Sequence, residues 1–200
     1  MKPPMEIEEV TLQGFGVRLE PLNEGDHFDG MSEAIADGEL WRLEVTTVPS
    51  PEELGGWFED ARLRFEQGKD LPFATIDQLT GEIVGSTRFR QIEAPHYRVE
   101  IGATFIGASA QRTHINSAAK LLMMRHAFDT WQVNRVEYLT DVLNDRSRAA
   151  IKRIGARPEG ILRNHMEMPD GRIRNSAIYS VTNEEWPGVQ ERLEERLGSA

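Results

Sequence analysis

The sequence predicts an α/β (α+β) fold, a single domain with a mixed β-sheet flanked by helices. Segments with the two-residue alternation of strands mix with segments of helical spacing along the whole chain. The centre, at 98–142, runs from a strand through a polar loop and a helix into another strand. No repeat or linker divides the 200 residues. We therefore expect one domain over residues 11–187, with a flexible segment at 1–10 and a helical tail at 188–200.

The first half of the chain predicts two helices and three strands. Residues 50–53 (Ser-Pro-Glu-Glu) form a capping-box pattern with Pro at the first helical position, so they should begin the second helix. A turn that carries Gly81 joins the last two strands into a hairpin. In chain order, these elements are a strand at 18–22, helices at 23–37 and 50–68, and strands at 73–77 and 82–89.

The second half holds the strand at 98–106, along which apolar side chains alternate. Val99, Ile101, Ala103 and Phe105 are expected on one face of the sheet, and Glu100, Gly102 and Thr104 on the other. The later elements are an apolar helix at 117–130, a strand at 135–142, a helix from Asn144 to Gly155, a hairpin at 160–182, and a C-terminal helix with an apolar stripe of Val189, Leu193 and Leu197.

Composition excludes several classes of protein. The 23 basic and 33 acidic residues give a net charge of −10, so neither nucleic acid nor an anionic membrane is expected as a partner. The absence of cysteine excludes disulfides and cysteine nucleophiles, and the five histidines lack the spacing of metal ligands. No secretory signal and no 18-residue apolar run is visible, so we expect a cytoplasmic protein.

The polar loop before the helix at 117 is the first candidate site. A strand that leads through a loop into a helix N-terminus leaves free backbone N–H groups, and the helix dipole favours an anion there. Arg112 adds a planar guanidinium suited to phosphate. The alternative is an ordinary strand–helix connection. The site would be lined by Gln111, Arg112, Thr113, His114, Ile115 and Asn116.

Asn144 and Glu100 are two further candidates. Asn144 follows a predicted strand at the edge where open α/β sheets bind ligands, although it is equally suited to capping the next helix. Glu100 lies within an apolar strand, where burial would raise the pKa of its carboxyl towards the range of a general base. The alternative for Glu100 is a solvated or ion-paired carboxylate.

Three motifs at their present spacing resemble one family. They are Val99-Glu100-Ile101-Gly102, Asn144-Asp145-Arg146-Ser147 and Ile154-Gly155-Ala156. Residues 98–187 resemble the GNAT N-acetyltransferase superfamily, in particular the branch of the ribosomal-protein N-terminal acetyltransferases. Gly16-Val17-Arg18-Leu19 and Leu40-Trp41 extend the resemblance over nearly the whole chain.

The resemblance implies an acyl-CoA N-acyltransferase domain that moves an acetyl group from acetyl-CoA to a primary amine by direct attack. Acetyl-CoA would lie in a V-shaped opening between splayed central strands at 98–106 and 135–142. Glu100 would take the amine proton, and Ser147 would replace the usual tyrosine acid. The implied contacts are Ala103, Thr104, Phe105 and Ile106 along the pantetheine arm, Gln111, Arg112, Thr113, His114, Ile115 and Asn116 at the pyrophosphate, and Asn144 and Ser147 near the thioester.

The loop at 111–116 departs from the Q/R-x-x-G-x-G/A pattern that this family usually has. His114 stands at the first glycine and Asn116 at the final small residue, where the backbone approaches phosphate closely or takes a positive φ. This departure leaves a second hypothesis open, namely a non-catalytic CoA-binding or protein-interaction member of the same fold.

The acceptor implied by the resemblance is a protein N-terminus or a small amine. Trp41 and residues 42–47 would border its cleft, although Trp41 is equally suited to the core. The net negative charge favours a cationic acceptor. Two surfaces are candidates for a homodimer, an edge strand of the sheet and the apolar stripe of the C-terminal helix.

Overall fold

A central β-sheet with helices on both faces organises the part of the chain that the computed structural model describes, residue 2 and residues 4–198. The helices there are α1 (Glu24–Ala36), α2 (Leu54–Glu66), α3 (Ile115–Arg125), α4 (Asp145–Arg153) and α5 (Trp186–Gly198). The strands are β1 (Leu12–Gly14), β2 (Val17–Pro21), β3 (Leu71–Asp77), β4 (Ile83–Glu93), β5 (Arg98–Ile106), β6 (Arg135–Asp141), β7 (Arg157–Glu167) and β8 (Ile173–Thr182). The predicted mixed sheet and α/β class are confirmed.

The sheet has the strand order β1-β2-β3-β4-β5-β6-β8-β7. Neighbours are antiparallel except β5 and β6, which run parallel at its centre. These two strands pair only from Arg98, opposite Arg135, to Glu100, opposite Glu137. Beyond Glu100 they part, and the edge of β5 that faces β6 has no strand neighbour. The sheet is therefore split over the carboxyl-terminal halves of its two central strands.

Two apolar cores lie on opposite faces of this sheet. On the face that we call the α3 face, Val99 and Ile101 of β5 pack with buried side chains of α3 and α5. On the α1–α2 face, a smaller core joins Met31 of α1 and Phe58 of α2 to Phe105 of β5. Aliphatic and aromatic side chains that are almost fully buried stabilise both layers. Trp41 packs against this smaller core and is half-buried.

A β-bulge at Ala103 corrects the predicted alternation of β5. Ala103 has a φ of 46°, and the pairing with β4 skips from Arg88–Gly102 to Ser86–Phe105. Two residues of β5, Ala103 and Thr104, therefore lie opposite one residue of β4, and every later side chain changes face. Phe105 lies on the α1–α2 face instead of joining Val99 and Ile101. Thr104 lies on the α3 face instead of joining Glu100.

The remaining differences from the predicted elements concern their ends. The helix predicted from Ser117 begins at Ile115, and its last turn, His126–Thr130, is π-helical. Strand β1 was not predicted, and β7 begins at Arg157, before the predicted start of the hairpin at 160. Upstream of β1, Trp131 Nε1 donates to the Glu6 carbonyl at 2.9 Å.

No helix in the described part of the chain has the length and apolar character that a bilayer crossing requires.

The apolar stripe of the C-terminal helix is used within the chain. Val189 and Leu193 are each 2% exposed in the core of the α3 face, and Leu197 packs against it. The predicted alternative that this stripe forms a dimer interface is therefore wrong for a chain folded in this way.

Candidate active site

The opening between β5 and β6 brings several predicted residues to one cleft. Ala103, Thr104 and Ile106 lie on the part of β5 that has lost its β6 neighbour, and Thr104 is exposed. The loop that follows β5 leads into the N-terminus of α3, and the loop that follows β6 leads into α4. An extended chain inserted here would find an unpaired strand edge at its side and a helix N-terminus at its end.

The loop at 111–116 ends inside α3 because Ile115 and Asn116 already form its first turn. The Ile115 N–H donates to Thr113 Oγ1 at 3.3 Å, whereas the next backbone N–H groups of the first turn, those of Asn116 and Ser117, have no partner within the helix and can bind an anion. The positive φ of this loop falls at Arg112 (63°), not at His114, whose φ is −70°. The Arg112 side chain is exposed beside this turn.

His114 needs no unusual backbone because Gly16 makes room for its ring. A Cβ added at Gly16 would lie 2.9 Å from His114 Nε2, so the imidazole packs against the β1–β2 turn. Gly16 also has a φ of 75°, which favours glycine. The residue at the family's glycine position is therefore accommodated outside the loop, and the N-terminus of α3 fits an anionic group such as pyrophosphate.

Gln111 links the two sides of the cleft. Its Nε2 donates to the Ile106 carbonyl at 2.6 Å, and its Oε1 accepts from Arg146 of α4. The end of β5 is thus tied to the helix that follows β6. Gln111 was predicted in this loop, whereas its contact with Arg146 was not predicted.

Asn144 caps α4, as its alternative interpretation predicted. Its Oδ1 accepts from the Ser147 backbone N–H at 2.9 Å, which satisfies one free donor of the first turn. Both side chains are half-buried. The cap occupies the Asn144 oxygen, whereas its amide group and the Ser147 hydroxyl are the atoms suited to contact a ligand.

Glu100 is buried and lies on the α1–α2 face. Its side chain is 7% exposed, and its Oε2 lies 3.8 Å from Arg90 Nε. A Cβ at Gly102 would stand 2.5 Å from Glu100 Oε1, so the missing side chain makes room for the carboxylate. Burial raises the pKa of the Glu100 carboxyl, Arg90 opposes this effect, and Glu137 adds to it. The structure thus combines the burial and the ion pairing that sequence analysis treated as alternatives.

Lys120 is a buried polar residue that sequence analysis missed. It projects from α3 onto the bulge of β5, where its Nζ donates to Thr104 Oγ1 at 2.6 Å and to Thr87 Oγ1 at 2.8 Å. Lys120 is only 5% exposed, and this burial lowers the pKa of its ammonium to about 7. The available clue was a lysine inside the apolar run Ala-Ala-Lys-Leu-Leu-Met-Met.

A second set of polar contacts closes the α1–α2 face of the cleft. Arg172 Nη2 donates to Asp141 Oδ2 at 2.6 Å and to the Glu44 carbonyl at 3.0 Å. These bonds bring residues 42–47 to the carboxyl end of β6. Burial acts to raise the pKa of Asp141, but the Leu143 N–H and Arg172 hold it below its ordinary value.

Comparison with known proteins agrees with this geometry. The family model described as "Acetyltransferase (GNAT) domain" matches residues 17–157. YdaF of Bacillus subtilis (strain 168), whose name provisionally describes a ribosomal N-acetyltransferase, is 29% identical over 108 residues, which cover 54% of this chain and 58% of YdaF. The chain thus spans less than two thirds of that relative.

Solved structures share the fold over nearly the whole chain. A GCN5-related N-acetyltransferase from Brucella melitensis is 31% identical with a TM-score of 0.87, covering 98% of this chain and 89% of its own. RimJ from Mycobacterium smegmatis, solved with CoA-disulfide, is 24% identical with a TM-score of 0.77, covering 99% of this chain and 98% of its own.

A mixed sheet split between two parallel central strands, with a helix N-terminus at the split, defines the class of acetyltransferases that share this fold. The chain belongs to the GNAT acetyltransferase family.

Proposed function

We propose that the protein is an N-acetyltransferase that moves the acetyl group of acetyl-CoA to a primary amine by direct attack. The observation that carries this proposal is the end of β5–β6 pairing at Glu100, which leaves Ala103–Ile106 with an unpaired edge beside the N-terminus of α3. Acetyl-CoA is a substrate of this reaction, and its pantetheine arm is suited to pair along that edge. The first turn of α3, with Arg112, holds its pyrophosphate.

In this proposal, the chain contributes orientation and one base. Asn144 and Ser147 hold the donor from the α4 side, and a backbone N–H of β5 polarises the carbonyl that is attacked. Glu100 receives the acceptor's proton at its carboxylate, directly or through water, because burial has raised its pKa. Holding the two reactants in line supplies much of the acceleration.

The acceptor in this proposal is a cationic primary amine, either a protein N-terminus or a small amine. Glu100 is a buried carboxylate on the α1–α2 face whose ion pair with Arg90 is long, at 3.8 Å, and the whole chain carries a charge of −10. The ribosomal N-acetyltransferase named among the relatives supports a protein N-terminus as the first acceptor to examine.

An Asn116→Asp variant tests the donor site. The substitution places a negative charge in the first turn of α3, where it stabilises the helix but repels pyrophosphate. We expect wild type to bind acetyl-CoA with micromolar affinity in a calorimetric titration, and the variant to bind at least tenfold more weakly without losing thermal stability. Asn183→Asp, at an exposed position after β8, is the matched control and should bind as wild type does.

Calorimetric titration of acetyl-CoA, combined with a thiol-release assay, distinguishes the acetyltransferase from the two non-catalytic alternatives. Binding of acetyl-CoA together with thiol release in the presence of amines supports the enzyme. Binding without thiol release in any amine assay indicates a CoA-binding sensor. If wild type does not bind acetyl-CoA at millimolar concentration, both the enzyme and the CoA-binding sensor are contradicted. That result would indicate the protein-interaction alternative, which the substituted loop at 111–116 motivates.

We also propose that a second copy pairs along β7. This edge strand has 11 residues, all exposed, and Ile161 is 59% exposed. Antiparallel pairing of two copies would join the free backbone edges of β7 and bring the oppositely charged ends of the strand, Arg157 and Glu167, towards each other.

Sedimentation velocity tests this pairing. Wild type is expected to sediment as a dimer, and Ile161→Lys as a monomer, because the lysine introduces two like charges at the contact. Leu79→Lys, in the turn after β3 where Leu79 is 90% exposed, should remain dimeric. A monomeric wild type would contradict the proposal.

A further inference from the structure

Arg174 of β8 lies on the same face of the sheet as Glu100. Ser176 is opposite Asp141 in the pairing of β8 with β6, and Arg174 comes two residues before Ser176, so strand alternation places it on the face that carries Asp141. Glu137, four residues before Asp141 on β6, shares that face and is opposite Glu100 of β5. Arg174 therefore belongs to the α1–α2 face, beyond the point where β5 and β6 part.

The guanidinium of Arg174 is held at one nitrogen only. Its Nε donates to Ser176 Oγ at 2.9 Å, and that buried hydroxyl also lies 3.0 Å from His165 Nδ1. Within the described part of the chain, no residue forms a hydrogen bond or an ion pair with its two Nη groups. The side chain is half-buried, and this burial lowers the pKa of the guanidinium. A half-buried arginine whose charge no ion pair offsets is suited to bind an anionic group of a ligand.

Asp141 does not offset this charge because its oxygens already have partners. The residue is fully buried, its Oδ2 accepts from Arg172 at 2.6 Å, and its Oδ1 accepts from the Leu143 N–H at 3.0 Å. The charge of Asp141 reaches Arg174 only over a longer distance than an ion pair. Arg172 and Arg174 thus have one carboxylate between them, and one positive charge is left over.

Glu100 does not offset it either, because Arg90 is its partner in the ion pair of 3.8 Å. Burial raises the pKa of the Glu100 carboxyl, and the charge of Arg174 is among those that oppose this effect, so the two groups are electrostatic neighbours. Around the proposed base, the guanidinium groups of Arg90, Arg172 and Arg174 thus accompany the carboxylates of Glu100 and Asp141. This part of the face carries an excess of positive charge, although the whole chain carries −10.

We propose that the Nη groups of Arg174 bind a carboxylate of the acceptor, which makes the acceptor a primary amine with a carboxylate close to it. This inference rests on the proposed function and deepens it, because it narrows the acceptor from any cationic amine to a zwitterionic one. The parallel N–H donors of a guanidinium match the two oxygens of a carboxylate. The acceptor's ammonium then faces Glu100 and its carboxylate faces Arg174, so each charge meets one of opposite sign.

Two kinds of acceptor carry this pair of charges. In a free α-amino acid, the α-carboxylate is attached to the carbon that bears the amine. In a polypeptide that begins with aspartate or glutamate, the side-chain carboxylate lies near the α-amine. A polyamine has no carboxylate and would set a second ammonium against Arg174, so polyamines are poor acceptors in this proposal.

The closing experiment pairs acceptors that differ in one carboxylate. L-alanine is compared with L-alaninamide, aspartyl-alanyl-alanine amide with asparaginyl-alanyl-alanine amide, and spermidine serves as the polycation. For wild type, Arg174→Gln and Arg174→Lys, kcat and KM for each acceptor are measured by thiol release, and acetyl-CoA affinity is measured by calorimetry. Because the paired amines differ in basicity, the ratio within a pair is compared between proteins. Arg153→Gln, an exposed arginine of α4, is the matched control.

We expect wild type to prefer the carboxylate member of at least one pair by about tenfold or more in kcat/KM. Arg174→Gln should lower kcat/KM for that member by about 10- to 100-fold, mainly through KM, and leave its amide partner within about threefold. Arg174→Lys should keep part of the preference, because it retains the charge without the paired donors. Acetyl-CoA affinity should not change, and Arg153→Gln should behave as wild type. A preference in the alanine pair identifies a free amino acid, and one in the aspartyl pair identifies an acidic N-terminus.

Three results would overturn the inference. If wild type uses each amide as well as its acid, or uses spermidine best, Arg174 does not select a carboxylate, although the acetyltransferase remains. If Arg174→Gln loses activity equally on both members of a pair, its role is merely structural. If wild type releases no thiol with any of these amines, the inference fails, and if it also does not bind acetyl-CoA, the proposed function fails with it.

Discussion

Glu100→Gln is expected to lower kcat for acetyl transfer by about 10²- to 10⁴-fold while acetyl-CoA affinity stays within about threefold. The amide has nearly the shape of the carboxyl, so it keeps the space that Gly102 leaves open, but it cannot receive the acceptor's proton. The measurement is kcat by thiol release together with calorimetric titration of the donor. Glu82→Gln, exposed in the β3–β4 turn, is the control.

The pH dependence gives this prediction a second test. Burial raises the pKa of Glu100, so the wild-type kcat should fall with decreasing pH from a point above the ordinary value for glutamate, as the base becomes protonated. This acidic fall should be absent from Glu100→Gln. Glu137→Gln should move it to lower pH, because Glu137 is one of the charges that raise the pKa. Unchanged turnover of Glu100→Gln across pH 6–9 would exclude Glu100 as the base.

The second large effect is expected on the free energy of unfolding, which should depend on pH through Lys120. Folding lowers the pKa of Lys120 from 10.5 to about 7, so between these values the unfolded chain binds a proton that the folded chain does not. Stability therefore rises with pH through this window, by as much as about 1.4 kcal/mol per pH unit, and falls as pH is lowered towards 7. From pH 7 to 9, this one group should add roughly 2 kcal/mol to the free energy of unfolding.

Urea unfolding of wild type and Lys120→Met at pH 7 and pH 9 measures this contribution. The variant lacks the group, so the difference in unfolding free energy between wild type and variant should shift by roughly 2 kcal/mol in favour of wild type. Lys152→Met should show no such shift, because Lys152 is exposed. An equal difference at both pH values would mean that Lys120 is charged in the folded protein. This measurement requires neither acetyl-CoA nor an acceptor.

Elements marked by local chemistry were predictable from sequence. The capping box is one example, since the Ser50 N–H donates to Glu53 Oε2 at 3.0 Å at the start of the turn that leads into α2. The Asn144 cap is another, because a side-chain oxygen three residues before a free N–H needs no tertiary partner. The family resemblance supplied what these local patterns do not, namely that β5 and β6 part.

Features that depend on distant partners were not predictable. Ala103 takes a positive φ without being glycine, so nothing in its identity marks the bulge that reverses Thr104 and Phe105. Lys120 was passed over inside an apolar helix because its partners, Thr87 and Thr104, come from two other elements. The imidazole of His114 is accommodated by Gly16, nearly a hundred residues earlier in the chain.

The bulge decides which faces the last side chains of β5 reach. If the strand paired regularly without losing a residue, Thr104 and Phe105 would exchange faces, which would bring an aromatic ring towards Lys120 and a hydroxyl into the core of Met31 and Phe58. Deleting Ala103 would remove the extra residue and leave both side chains on their present faces, because Thr104 would then follow Gly102 directly. Deleting a regular residue such as Ile101 while the bulge remained would instead exchange Val99 and Glu100 between the two faces. We therefore expect the length of β5 to tolerate change at the bulge and nowhere else along the strand.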